Sequence, residues 1–185
     1  TDAIIHVVRA FENDDIVHVS GKVSPIDDIE IINTELILSD LSIVEKLYQK
    51  AQKNTKSGQK EGMPMKELVE KILTALKEGT SLRKLTFGKE ELVLLKNFQL
   101  LTLKPVLYVA NVNESGFENN PHLDLILDYA TQDHSKVVPI CAEIEAEICE
   151  LSNDEKKEFL LEMGQNESGL DLSLIHISEP TRRRG

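Results

Sequence analysis

The sequence predicts an α/β fold: a parallel sheet with an antiparallel α-helical hairpin inserted into it. Three observations carry this expectation. Short apolar runs stand at 3–11, 106–112 and 136–142. Helical patterns separate them. The long gap between the first two runs holds two helical stripes joined by a polar link, NTKSGQKEGMP.

Each element has its own signal. AIIHVVRAF, Ala3–Phe11, is apolar and rich in β-branched residues, as for a strand covered on both faces. ENDDIVHVSGKVSP follows as a polar loop punctuated by Gly21 and Pro25. PIDDIE opens a helix, with acidic residues where the helix dipole favours them. Ile29, Ile32, Leu36, Ile43, Leu47 and Ala51 then recur at helical spacing to about Asn54. MKELVEKILTALKEG carries a second stripe, Leu68/Val69, Ile72/Leu73 and Leu76, with Gly79 as its C-terminal cap. KEELVLLKNFQLL reads as a third helix, 89–101. Val106–Val112 is the next strand. Asn120-Pro121 starts a helix, Asn as cap and Pro at the first helical position, with Leu123, Ile126, Leu127 and Ala130 as its stripe. KVVPICA is a third strand, which Pro139 places at an edge. EIEAEICEL is a short helix. SNDEKKEFLLEMG is another, opened by a capping box of Ser152 and Glu155 and closed by Gly164.

Composition excludes several classes. Hydrophobic content of 41% and charge of 29% suit a globular protein with a real core. With 4% aromatic residues and no Trp, a base-stacking platform for single strands is not expected. No apolar run approaches a membrane span, and no membrane partner is expected. Cys141 and Cys149 build neither a disulfide framework nor a zinc site of Cys alone, so a reducing, cytoplasmic setting is expected. His6, His18, His122, His134 and His176 are scattered without metal spacing, and no metal site is expected. The pairs Asp14/Asp15 and Asp27/Asp28 read as loop and helix-start residues.

Charge is unevenly spread. The net charge is −11, yet residues 46–89 carry +7. Lys46, Lys50 and Lys53 lie about a turn apart on one side of the first helix, and Lys56, Lys60, Lys66, Lys71 and Lys77 continue the block. A basic hairpin in an acidic chain could contact RNA; a solvated lysine face is the alternative.

The second strand ends in Asn111-Val-Asn-Glu114. In a parallel α/β sheet, ligands bind beyond the carboxyl ends of the strands. A capping box has the same Asn-to-Glu spacing, but SGFENNP carries no helical stripe and a better cap lies downstream at Asn120. The functional reading is recognition of a purine base. Guanine sites of the P-loop class use Asn-Lys-x-Asp here, with the Asp accepting from guanine N1–H and its amino group. Val112 replaces that Lys and Glu114 replaces that Asp. A site that hydrogen-bonds a group rejects analogues lacking it by about 10⁴–10⁵-fold. Lengthening the acid by a methylene displaces that paired acceptor and should relax guanine preference. Asn111 remains able to accept from an adenine amino group and to donate to N7.

On these residues the chain resembles the Obg-like ATPase family, in its YchF branch. The resemblance rests on HVVRAFENDDIVHVSGKVSPIDDIEIINTEL, LTLKPVLYVANVNESGFEN and VVPICAEIEAEI, and spans Thr1 to about Leu170. It implies a partial Ras-like parallel sheet, the C-terminal half of a G domain, with an inserted coiled-coil-like hairpin. The implied boundaries are 1–24 for a strand and loop of the nucleotide domain, 25–101 for the hairpin and 102–170 for the rest of that domain. The tail 171–185, ending in three arginines, resembles a translated sequencing adapter; a disordered basic tail is the alternative.

The resemblance also implies site roles. Asn111 would bond the base edge and Val112 would line the pocket. Phe11 would pack on the base, although an aromatic after a buried strand is as often core. Cys141, Ala142 and Glu143 would close over the ring with their backbone amides. Glu114 belongs to the motif, with its contact to ligand left open. The implied ligand is ATP, with GTP as the alternative, and the implied partner is the ribosome or its RNA through Lys46, Lys50, Lys53, Lys56 and Lys60. Alternatively the parent is a GTP-binding protein of the same class, or a nucleotide-free helical interaction module.

Departures matter as much. The sequence contains no Gly-x-x-x-x-Gly-Lys-Ser/Thr loop and no metal-linked Asp-x-x-Gly switch, and the family's C-terminal TGS domain is missing. The first two precede the family's equivalent of Thr1, so a fragment cut at both ends is expected. Mg²⁺ belongs to the parent protein, with its ligands absent from these residues, and no catalytic residue is expected here. Phosphoryl transfer depends on positioning and charge neutralisation by those groups. The isolated 185-residue polypeptide is therefore expected not to hydrolyse ATP. A phosphate-release assay on purified material checks this, and measurable turnover would refute it.

Overall fold

Parallel pairing is the organising feature of the sheet. A computed structural model describes residues 2–13, 23–56, 63–152, 154–156 and 158. Gly21, Lys60, the expected helix end at Gly164 and the tail from Asp171 lie outside the described residues, as does the Lys56 side chain. The chain divides into two compact units. One comprises Ala3–Asp28 with the chain from Val106 onward; the other is Ile29–Pro105.

In the first unit, strands β1 (Ile4–Arg9), β2 (Val106–Asn111) and β3 (Lys136–Ile140) form a parallel sheet in the order β1-β2-β3. The register pairs Arg9 with Asn111 and Asn111 with Ile140, so three strand ends meet at one rim. β2 is central, and its residues Val106–Ala110 are all buried, as an apolar run with neighbours on both sides should be. Helix α4 (Pro121–Gln132) packs on one face through Leu123, Ile126 and Ala130. There Tyr108 meets Tyr129 edge-on at 6.0 Å and donates its hydroxyl to Asp133 at 3.1 Å. That partner matters because a buried phenol without one is costly. Helix α5 (Ala142–Glu150) follows β3. At Ser152 the Glu155 half of the expected capping box is present: Glu155 accepts from the Ser152 N–H and hydroxyl at 2.9 and 2.6 Å, so the hydroxyl donates to the carboxylate. These two bonds hold the Glu155 carboxyl below its ordinary pKa.

Two expectations about the apolar faces are corrected. β1 is not covered on both faces: Ile5 and Val7 are 54% and 62% exposed, whereas Val8 and Ala10 are buried. Ile5 and Val7 share one face of the strand, which no described element covers, and apolar composition alone does not reveal this. Leu127 is exposed, and Tyr129 instead lies half-buried on the inner side of α4.

The second unit is helical. Helix α1 (Pro25–Lys56) enters it at Ile29, followed by α2 (Met63–Lys77) and α3 (Lys89–Lys96). Ile37 and Val44 of α1 share one core with Leu68, Val69, Ile72, Leu73 and Leu76 of α2, joined by Leu82, Leu95 and Leu100. Only residues 57–62 link the two helices. A connection this short suits an antiparallel neighbour. Gly79 takes φ 74°, its N–H donates to Leu76 O at 3.1 Å and the Thr80 N–H donates to Ala75 O at 2.9 Å, as at a left-handed cap.

The stripe of α1 differs from the expected one. Ile32 and Ile43 are 42% and 37% exposed, while Asn33 and Asp40 are buried. Each buried polar group has a distant partner. Asn33 Oδ1 accepts from Arg83 at 2.8 Å. Asp40 accepts from the Leu101 N–H at 2.9 Å, and from the Thr102 N–H and hydroxyl at 2.7 Å each. Its carboxylate thus caps a 3₁₀ turn, Leu101–Leu103, at the start of which backbone N–H groups lack partners of their own. This also explains why α3 stops at Lys96 and not near 101: Gln99 is left-handed at φ 51°, and the chain restarts as the capped turn.

Asp40→Ala leaves three buried donors without an acceptor and is expected to cost roughly 2–4 kcal/mol. Thr102→Val removes one hydroxyl donor and should cost about 1 kcal/mol. Urea unfolding followed by helical circular dichroism checks the ranking; equal or negligible losses would mean that the carboxylate is not what holds this corner.

Candidate functional site

The rim where β1, β2 and β3 end gathers the residues singled out from the sequence. The ladder runs one step past the strands: Ala10 N–H donates to Asn111 O at 2.7 Å, and Val112 N–H donates to Ile140 O at 2.8 Å. Asn111 is half-buried at the tip of β2, and its Oδ1 accepts from the Ala142 N–H, the first amide of α5, at 3.0 Å. The capping-box alternative for Asn111 and Glu114 is therefore absent. Its side chain reaches a different helix, and residues 114–117 form a turn.

The Asn111 bond narrows the chemistry. One lone pair of its amide oxygen is engaged, and the Nδ2 group has no partner among the described residues. The amide is thus primarily a donor toward a ligand. Val112 is 2% exposed and its N–H belongs to the ladder, so the sheet holds this residue inward. Cys141 is buried at the N-cap of α5 and supplies no side-chain cap. Ala142 and Glu143 are exposed; the Ala142 amide is taken by Asn111. Glu114 is exposed on the turn after the strand.

Phe11 sits just beyond β1 and is half-buried. The Arg9 guanidinium lies 4.7 Å from its ring centroid, and Arg9 Nε donates to Phe11 O at 3.0 Å. A second bond runs from Arg9 to Asn13 O at 3.2 Å. Cation–π contact and backbone bonds together fix the ring's orientation. Sequence reasoning did not single out Arg9; its spacing two residues before the aromatic is the available signal.

Two further residues were missed as site residues. Gly116 is buried, and a Cβ there would press on Asn113 Oδ1, 3.1 Å from Val112 Cβ and 3.2 Å from Asn120 Nδ2. Phe117 packs on Cys141, Ile144 and Ile148, laying the loop after Glu114 against α5. Among the described residues, no group of three or more His, Cys, Asp or Glu could hold a metal ion.

The basic block lies in the helical unit. Lys46, Lys50 and Lys53 are exposed on α1. Lys71 is engaged: it pairs with Glu91 at 3.3 Å, donates to Thr86 O at 3.2 Å and lies 4.6 Å from the Phe87 ring centroid. The Gly88 N–H first, and then Lys71, hold the Glu91 carboxyl below its ordinary pKa. No described helix is long and apolar enough to cross a membrane.

Comparisons agree with this architecture. The chain is 53% identical over 171 residues to the Haemophilus influenzae protein named ribosome-binding ATPase YchF, covering 92% of this chain and 47% of that one. The Escherichia coli O157:H7 protein of the same name is 50% identical over the same coverage. That of Bacillus subtilis is 46% identical over 173 residues, again 92% of this chain and 47% of the relative. The solved YchF GTPase of Schizosaccharomyces pombe superposes with a TM-score of 0.84 at 28% identity, covering 95% of this chain and 49% of that one. No family model matches. The chain spans about half the length of the curated relatives it matches.

Proposed function

We propose that this chain, which is homologous to the YchF proteins, supplies the base-binding side of a nucleotide site in a ribosome-associated NTPase, with ATP as the preferred ligand. The observation that carries it is the Asn111 amide at the tip of the central strand. Its oxygen is tied to Ala142, and its N–H groups have no partner among the described residues. In this arrangement Nδ2 donates to purine N7, an atom that adenine and guanine share. Phe11, steadied by Arg9, offers a flat apolar surface at the same rim. Glu114, longer than the Asp of guanine sites, leaves the guanine N1–H and amino group without their paired acceptor. Adenine needs no such acceptor, so ATP is held at least as well as GTP. The relatives' names support an NTPase, the bacterial ones as ATPases and the fission-yeast one as a GTPase.

Mg²⁺ would accompany the phosphates in the whole protein, but the described residues do not fit it. This chain's own share of the chemistry is base recognition.

Competition binding to the intact protein tests the assignment. ATP should compete at least as well as GTP, and Asn111→Ala should weaken both by about tenfold, the worth of one good hydrogen bond to a buried site. 7-Deaza-ATP, lacking the N7 acceptor, should bind about as weakly to the unaltered protein as ATP does to Asn111→Ala. Much tighter GTP binding, or normal binding after Asn111→Ala, would sink it.

The same proposal gives the helical unit a partner. Lys46, Lys50 and Lys53 present three ammonium groups along one exposed side of α1, suited to RNA phosphates. The relatives are named as ribosome-binding. Replacing these three lysines by Glu should weaken ribosome binding by about tenfold or more and flatten its salt dependence. Sedimentation with ribosomes across a salt series measures both; unaltered binding with an unaltered slope would leave the face merely solvated.

A further inference from the structure

Asn120 makes four hydrogen bonds, and helix capping explains only two of them. Its Oδ1 accepts from the His122 N–H at 3.0 Å and the Leu123 N–H at 3.3 Å, closing the first turn of α4. Its Nδ2 donates to Ala10 O at 2.8 Å and to Gly116 O at 3.0 Å. Each amide atom carries two bonds, which nearly saturates the side chain. Ser or Asp caps a helix about as well as Asn. Neither can also donate to two carbonyls that lie far apart in sequence.

Those two carbonyls bracket the proposed base slot. Ala10 precedes Phe11. Gly116 follows Glu114 by two residues and closes the turn with an N–H bond to Asn113 O at 2.9 Å. The loop lies so close to Asn120 that a Cβ on Gly116 would stand 3.2 Å from Nδ2. Another side-chain contact joins the same segments, His122 to Glu12 at 3.4 Å, but that Glu side chain is 81% exposed. An exposed pair of that kind adds little and fixes no spacing.

We infer that Asn120 is a positioning residue that sets the gap between the Phe11 side and the Asn111–Glu114 side of the slot, and thereby the affinity for the purine ring. The inference rests on the base-binding proposal above. Asp at position 120 retains both cap acceptors, removes both donations and places a negative charge against two carbonyl oxygens. The slot should then splay while α4 stays capped.

The experiment uses the intact protein with Asn120→Asp, Asn120→Ala and Asn111→Ala. It measures dissociation constants for ATP and for inorganic triphosphate, together with melting temperatures. Asn120→Asp should bind ATP about tenfold or more weakly, hold inorganic triphosphate as before, and melt within a few degrees of the unaltered protein. Asn120→Ala should lose ATP affinity and melting temperature together. If Asn120→Asp does not fold, Asn120→Ser serves in its place, since the short hydroxyl caps the helix without reaching either carbonyl. Normal ATP affinity in Asn120→Asp or Asn120→Ser, with affinity lost in Asn111→Ala, overturns the positioning role and leaves the base site standing. Equal loss of ATP and triphosphate affinity also overturns it, because the effect would then be general disruption. Normal ATP affinity in Asn111→Ala removes the base site and this role with it.

Discussion

The Asn111-to-Ala142 hydrogen bond is the constraint on which the rim depends. A parallel sheet brings its strand ends to one edge, but pairing alone leaves the following segments free to diverge. Here β2 and β3 part after Asn111 and Ile140. A side-chain oxygen from one strand end takes the first amide of the helix that follows the other. That single bond holds the loop after β2 against the start of α5. Phe117 extends the contact with apolar packing on Cys141, Ile144 and Ile148. The polar bond sets direction, and the apolar contact excludes water from its flank.

The helical unit solves a similar problem by other means. Its core is apolar, yet the α1 stripe contains Asn33 and Asp40. Burying a carboxylate is tolerable only when its lone pairs are filled, and Asp40 has three donors from Leu101 and Thr102. These residues are about 60 positions away, so the pairing closes a long loop. An apolar side chain at position 40 could fill the volume but would leave the 3₁₀ turn uncapped. This buried acid serves geometry more than net stability.

These cases mark where the sequence was legible. The three strands, the capped helix at Asn120 and the double stripe of α2 could be read because local periodicity and turn chemistry determine them. The face of α1 could not. Periodicity ranks Ile32 and Ile43 above Asn33 and Asp40, and only distant partners reverse the order. The exposure of Ile5 and Val7 was hidden for a related reason: an apolar run does not say whether both faces of a strand are covered. At the site, the Asn111–Glu114 motif was visible because it departs from a known pattern at two positions. Arg9, Gly116 and the second pair of bonds from Asn120 were not visible, because each acts on a backbone atom or ring that only the fold brings near. The Asn120-Pro121 signal was complete as a cap, so nothing local hinted at a second task.

The arrangement also constrains where base selectivity can reside. With its oxygen facing Ala142, Asn111 presents N–H groups, and a donor finds the same acceptor, N7, on both purines. On the proposed reading it therefore contributes affinity but not choice. On the same reading, discrimination comes from groups facing the Watson–Crick edge, where guanine offers the O6 acceptor with its N1–H and amino donors, and adenine offers the N1 acceptor with its amino group. On the proposed reading, two candidates among the described residues lie that way. One is Glu114, on its exposed turn. The other is the start of α5, where Cys141 provides no cap and the Glu143 amide lies beyond the one Asn111 takes. A helix N-terminus favours an acceptor over a donor, because its N–H groups and its dipole both present positive charge. Adenine N1 and guanine O6 are both such acceptors, so this end adds affinity for either base. On the proposed reading the preference for adenine then rests on Glu114, through the loss of the paired acceptor for guanine, and relaxed rather than absolute discrimination follows.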